Sequence, residues 1–170
     1  LSPKPKLEQH LHRTQPRRVQ NAVPFVAQEK NLCGPSVLKM ATEPYLPHTP
    51  LTTFRQMAFM ETLQGTLKSD MISAARRLGL SPYRIPTLEL MLKQVEEGTS
   101  VIVFQNLGLS WLPAWHYSLL LGYDADQGIV YLHSGKEAYQ ALSFERFVAT
   151  WHRGESWSYV VVPPESIPTH

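Results

Sequence analysis

Gln28-Glu29-Lys30-Asn31-Leu32-Cys33-Gly34-Pro35-Ser36-Val37 is the stretch on which the fold of this chain turns, and it holds the only cysteine in 170 residues. It reads as a loop running into a helix. Pro35 suits a first helical position, where its missing N–H is no loss and its φ is preset. Val37, Met40 and Ala41 then recur at helical spacing. Cys33 is therefore expected at a helix N-terminus, where unpaired N–H groups and the macrodipole favour an anion. A thiolate is such an anion, and it is the nucleophilic form of cysteine. A lone cysteine is ordinarily a small buried hydrophobe. Here Gln28 lies five residues upstream, near enough for its amide to point at the same spot. A nucleophilic thiol also needs a base, to take its proton and later to protonate the leaving group.

Length and composition bound the answer. A chain of 170 residues fits one domain with a real core. Its hydrophobic fraction of 43% and charged fraction of 18% are ordinary for a globular protein, and a net charge of +2 makes no case for nucleic acid. One cysteine excludes an internal disulfide and any cysteine-based zinc site. No cofactor or metal is called for. No run approaches the length of a membrane span. Fourteen prolines against nine glycines predict long, stiff loops.

Residues 1–20 read as a basic flexible tail or tether, with Lys4, Lys6, Arg13, Arg17 and Arg18 against Glu8 alone. The alternative to a solvated arm is a membrane tether with these cations near anionic lipid. The domain itself is placed at 21–164, followed by a tail at 165–170. Ala22–Ala27 is apolar and extended, an edge strand or strap leading to Gln28. The helix behind Cys33 is expected to stop before Pro44. Further helices are predicted over Leu51–Met60, over Ser69–Leu78 with Ser69 as cap and Gly79 as stop, and from a Thr87 cap through Val95. A short strand falls between the last two, at Ser81–Ile85.

The pattern then changes to β-branched and aromatic runs. Val101–Phe104, Trp115–Tyr123, Ile129–Leu132 and Trp157–Val162 read as strands. Gln105–Pro113 reads as a long loop, Asp124–Gly128 as a hairpin turn, and Phe144–Trp151 as a short helix after Ser143. A helical first half followed by antiparallel strands is an α+β layout, with the nucleophile on the helical side.

Seven histidines are present. His10, His12 and His170 fall in the expected tails, His48 in a loop, and His152 after the last helix. His116 differs, because it opens a buried strand between Trp115 and Tyr117. A histidine there is costly to bury without a partner. One partner is backbone; the other is Cys33 across a cleft between helix and sheet. Such a couple becomes thiolate and imidazolium, which lowers the thiol pKa.

Gln-x-x-x-x-Cys-Gly-Pro at a helix start, followed by His-Tyr-x-x-x-x-Gly-Tyr-Asp on a strand, resembles the papain-like cysteine peptidases. Within them the chain is similar to the bacteriocin-processing, double-glycine leader peptidase family, and to a bacterial branch found as exported or lipid-anchored proteins. Val101–Leu109 before Trp115-His116-Tyr117, and Leu132-His133-Ser134-Gly135, fit that branch. The resemblance spans about residues 21–163. It implies a papain-like α+β fold, with the Cys-bearing helical half packed on the His-bearing antiparallel sheet. It implies a location in the bacterial envelope or periplasm and a peptide or protein substrate, cut after paired glycines in the wider family.

By the same resemblance Cys33 is the nucleophile, His116 the general base and later the acid, and Gln28 the oxyanion donor beside the Cys33 N–H. The third member, an Asp or Asn orienting the histidine, falls at His133-Ser134-Gly135, which holds no carboxylate. Ser134, His133, Asn106 and Asp124 are the substitutes, although Asp124 also suits a hairpin turn. The residue before the cysteine, often Asp in the family, is Leu32 here. Trp111 and Trp115 are expected to wall the substrate groove. Two functions from different classes remain. One is a cysteine peptidase working through the Cys-His couple; the other is a catalytically weak or inactive module that keeps the fold and binds a peptide or partner protein.

Overall fold

In the computed structural model the described residues are 17–28, 32–58, 66 and 68–166. The expected histidines His10, His12 and His170, Glu29–Asn31 of the loop before Cys33, and residues 59 and 60 of the second helix lie outside them. The chain runs β1 (Arg18–Gln20), α1 (Cys33–Thr42), α2 (Leu51–Ala58), α3 (Lys68–Arg77), β2 (Ser81–Arg84) and α4 (Leu88–Glu96). It continues with β3 (Val101–Asn106), β4 (Trp115–Asp124), β5 (Ile129–Ser134), β6 (Glu137–Ser143), α5 (Phe144–Arg153) and β7 (Ser158–Val162). The expected α+β layout is what forms.

The strands make one antiparallel sheet in the order β2-β7-β3-β4-β5-β6, with β1 pairing β4. Val101–Phe104 reads as an unbroken apolar run because β3 is covered on both faces. On one face Ile102, Phe104, Tyr117 and Leu119 pack with Val37, Leu38 and Met40 of α1, Phe54 of α2 and Met71 of α3. On the other, Val101, Val103 and Leu120 pack with Met91 and Val95 of α4 and Phe147 and Trp151 of α5. Each such aliphatic or aromatic side chain stabilises the fold by roughly 1.5–3 kcal/mol. The sheet is thus sandwiched between two helical layers.

Helix boundaries follow local chemistry. Thr87 and Ser143 each cap the helix behind them, accepting from the N–H of Leu90 and of Arg146 at 3.2 Å. Gly79 and Gly98 end α3 and α4 with φ of 83° and 92°. Two expectations shift. α3 opens at Lys68, so Ser69 lies inside its first turn rather than capping it. His152 belongs to the last turn of α5 instead of following it.

Arg18–Gln20, expected in the tail, form β1. Gly122 of β4 lets that strand approach, since a Cβ there would stand 2.6 Å from the Val19 carbonyl oxygen. Arg17 reaches Asp126 Oδ1 at 2.6 Å, and the Arg18 guanidinium sits 5.8 Å from the Tyr131 ring centroid. Specific partners, rather than solvent, hold these two cations. Ala22–Ala27 is a strap and not a strand. β6 is absent from the sequence reading because Glu137–Ser143 carries no apolar run; it is the mostly exposed edge of the sheet.

Candidate active site

α1 starts at Cys33, two residues earlier than Pro35 suggests. Pro35 occupies the first turn, where its N–H would have no helical partner in any case. Leu32 stands at the N-cap and offers no side-chain oxygen, so the leading N–H groups are not capped. The backbone N–H groups of Tyr117, Gly34 and Cys33 itself lie near the sulfur. Each favours a thiolate, yet burial is the larger effect and pushes the thiol above its ordinary value. Gly34 is required at this turn, because a Cβ would overlap the Thr66 side chain.

The Tyr117 contact ties Cys33 to the strand residue next to His116. His116 lies opposite Gln105 across the β3–β4 ladder. Its Nε2 is 2.8 Å from Ser134 Oγ. Among the described residues Nδ1 carries no hydrogen bond, and none joins the ring to the sulfur. Burial pushes the imidazole below its ordinary value. Burial thus shifts both groups toward their uncharged forms, against the expected thiolate–imidazolium couple. Tyr117 lies under the site, its hydroxyl donating to the Thr66 carbonyl at 3.0 Å. Burial, with the Cys33 and Asp70 charges, pushes that phenol far up and keeps it protonated.

Gln28 enters from the strap. Its N–H donates to the carbonyl of Gly135 at 3.0 Å, which anchors it beside Ser134 at the β5–β6 turn. Its side chain is only 5% exposed. Neither Nε2 nor Oε1 has a hydrogen-bond partner among the described residues. An orphaned buried amide calls for an explanation. An oxyanion donor waiting for its acceptor is one. Gln28 is thus tied to Gly135, the neighbour of Ser134, and Ser134 to His116, while Cys33 lies by the backbone of Tyr117, the neighbour of His116.

The other candidate orienters are elsewhere. Asn106 accepts from the N–H groups of Gly108 and Ala114, each at 2.9 Å, and donates to the Leu109 carbonyl at 3.2 Å. Those bonds occupy it in bracing its own loop. Asp124 closes the far end of β4, accepting from the N–H groups of Asp126 and Gln127 as a turn residue does. His133 is bonded to the Val23 carbonyl at 2.8 Å and to the Tyr139 N–H at 3.1 Å, away from His116. Only Ser134 meets the ring.

Three residues escaped the sequence reading. Ser118 donates to Gln105 Oε1 at 2.5 Å, Gln105 Nε2 donates to Thr150 Oγ1 at 2.9 Å, and Ser118 Oγ lies 3.3 Å from Ser134 Oγ. Ser118 was legible as a polar residue inside a buried apolar run; Gln105 reads in the sequence as the start of a loop, but β3 continues through it to Asn106 because β4 pairs with it that far. The β3–β4 loop, by contrast, is a braced prong. Leu109 and Leu112 bond each other's backbone at 3.0 and 3.1 Å and leave Ser110 and Trp111 at the tip. Trp111 is 77% exposed, and Leu107, Leu109, Leu112 and Trp115 are exposed with it. Trp115, next to His116, stacks on Phe104 with ring centroids 5.4 Å apart.

Among the described residues no group of three or more His, Cys, Asp or Glu could hold a metal ion, and no helix is long and apolar enough to cross a membrane.

No family model matches the chain, and no curated protein matches it. Solved structures do. A double glycine motif protease from an AMS/PCAT transporter, crystallised with the leader peptide, has a TM-score of 0.65 at 21% identity, covering 88% of this chain and 99% of that one. The peptidase domain of Streptococcus ComA, a bi-functional ABC transporter involved in quorum sensing, has a TM-score of 0.65 at 20% identity over 84% and 99%. A C39-like peptidase from Bacillus anthracis has a TM-score of 0.71 at 15% identity over 89% and 100%. At these identities it is the fold that is shared: this chain has the papain-like fold of the C39 peptidase domains.

Proposed function

We propose that this chain is a cysteine peptidase in which Cys33 attacks a peptide carbonyl, and that the orphaned, buried amide of Gln28 is the observation that carries the reading. A peptidase has a use for an unpaired buried amide, because the tetrahedral oxyanion arrives only during reaction. His116 takes the thiol proton as the sulfur forms its bond to the carbonyl carbon. The oxyanion then accepts from Gln28 Nε2 and from the Cys33 N–H. Collapse of the intermediate breaks the C–N bond, and His116 gives its proton to the departing amine. Water, deprotonated by His116, releases the acyl group and restores the thiol.

The substrate is a peptide that docks against the prong, with Trp111 and Trp115 walling its groove. A leader peptide fits that role, since a fold neighbour binds one. By resemblance the protein works in the bacterial cell envelope, tethered through the residues that precede Arg17; fractionation of cells expressing the full-length protein tests that. One observation favours the second reading, a weak or inactive peptide-binding module: the ring partner of His116 is Ser134 and not a carboxylate. Acylation by a p-nitrophenyl ester separates the two. A peptidase gives a burst of one equivalent that Cys33→Ala and His116→Ala both abolish. A binding module gives no burst while still retaining peptide on a column.

A further inference from the structure

We infer that Gln105, acting through Ser118 and Ser134, is a positioning residue that selects the His116 tautomer protonated at Nε2 and so leaves Nδ1 as the base. This deepens the peptidase reading and rests on it for its catalytic meaning, though not for its structural test.

The inference follows from counting protons along one buried chain of hydrogen bonds. At its far end the Thr150 hydroxyl donates to the Phe147 carbonyl in α5 at 2.8 Å, so its oxygen is the acceptor for Gln105 Nε2 at 2.9 Å. That fixes which way the amide points, with Oε1 toward Ser118. Ser118 places its single proton on Oε1 at 2.5 Å. Ser118 has a single proton and spends it on Oε1, so in its 3.3 Å contact with Ser134, where either hydroxyl is able to donate, it is left as acceptor and the proton is that of Ser134. With its own proton directed at Ser118, Ser134 meets the imidazole only as an acceptor. The ring atom 2.8 Å away, Nε2, must therefore carry the hydrogen. Ser118 is wholly buried, and Gln105 and Ser134 nearly so, so water does not scramble the direction. A neutral imidazole has one donor and one acceptor nitrogen. Holding the proton at Nε2 leaves the Nδ1 lone pair to take a proton, and Nδ1 is the nitrogen without a partner among the described residues. A backbone carbonyl fixed in a helix thus does, through three hydroxyls and an amide, what a carboxylate does by accepting the ring N–H directly.

The test uses the full chain, ¹⁵N-labelled at histidine, with two readouts. Ring ¹⁵N shifts above the His116 pKa report the tautomer, with His116→Gln for assignment. Iodoacetamide alkylation against pH reports the thiol. The wild type is expected to show one dominant species with hydrogen on Nε2. Ser118→Ala and Gln105→Leu break the chain and are expected to give mixed tautomers, with alkylation at neutral pH slowed about tenfold, the scale of one lost hydrogen bond. Gln105→Glu still accepts from Ser118, keeps the direction and is expected to keep the wild-type tautomer. Thr150→Val frees the amide to flip and Thr150→Ser does not, so only the first is expected to disturb the ring. Circular dichroism melts identify any variant that has not folded, and this second pair then carries the test. Unchanged ring shifts in folded Ser118→Ala and Thr150→Val overturn the inference. If the shifts move as expected but no ester burst exists, the relay stands and the peptidase reading falls.

Discussion

Replacing Gln28 by Leu is expected to make the protein more stable and less active at once. In the folded state the amide is buried with both polar atoms unpartnered among the described residues. Each such atom costs on the order of 1–3 kcal/mol in lost hydration. Leu is close to Gln in volume, so it removes both penalties without opening a large cavity. Allowing for imperfect packing, we expect a gain of about 1–3 kcal/mol. For a chain of this size that raises Tm by roughly 2–4 °C per kcal/mol. On the proposed mechanism, loss of one oxyanion donor slows acyl transfer by about 10²–10³-fold. Three measurements on one preparation separate these effects: a thermal melt, acylation by a p-nitrophenyl ester, and alkylation by iodoacetamide. Alkylation is a displacement at carbon that builds no oxyanion, so it is expected to keep its wild-type rate. The expected result is a higher Tm, slow acylation and unchanged alkylation. A lower Tm with acylation intact means that the amide is already bonded and takes no part, which refutes the reasoning on both counts. Such opposition between stability and activity is usual where a site is built to bind something absent at rest.

Three other outcomes are expected. Burial holds the imidazoles of His116 and His133 below the ordinary value of 6.5, so below that pH the unfolded chain binds more protons than the folded one. Stability contributed by the neutral rings is present above 6.5 and is lost as the pH falls through their lowered folded values; urea midpoints at neutral and mildly acidic pH should show it, and an acid-insensitive midpoint counts against it. Ser134→Asp puts a carboxylate against Nε2, raises the imidazole pKa and is expected to speed alkylation of Cys33 about tenfold at neutral pH; an unmoved pH–rate profile would show that the ring does not govern the thiol. Gly34→Ala drives a methyl group into the Thr66 side chain and is expected to cost about 1–3 kcal/mol, recovered in part when Thr66→Gly is added, as a double-mutant cycle on Tm can measure.

Periodicity and local chemistry in the sequence determined most elements of this protein. Apolar spacing marked α1 to α5 and the buried strands β3, β4, β5 and β7. Thr87, Ser143, Gly79 and Gly98 marked helix ends, because a cap or a positive φ is a property of a few neighbouring residues. Cys33 at the head of α1 and His116 at the head of β4 were legible for the same reason. What tertiary structure decided is everything that depends on which residues face one another. β1 and β6 were illegible because each is held by its neighbour strand and not by a hydrophobic pattern of its own. Asn106, His133 and Ser134 were all available in the sequence as partners for the ring, with Asp124 better suited to a hairpin turn, and strand register is what brings Ser134 to it. The same register aligns Gln105, Ser118 and Ser134 on one side of the sheet. Burial, which no single stretch of chain reveals, shifts the thiol and the imidazole toward their uncharged forms. Residue types state what chemistry is available; the folded dielectric and the order of hydrogen bonds decide which protonation state that chemistry starts from.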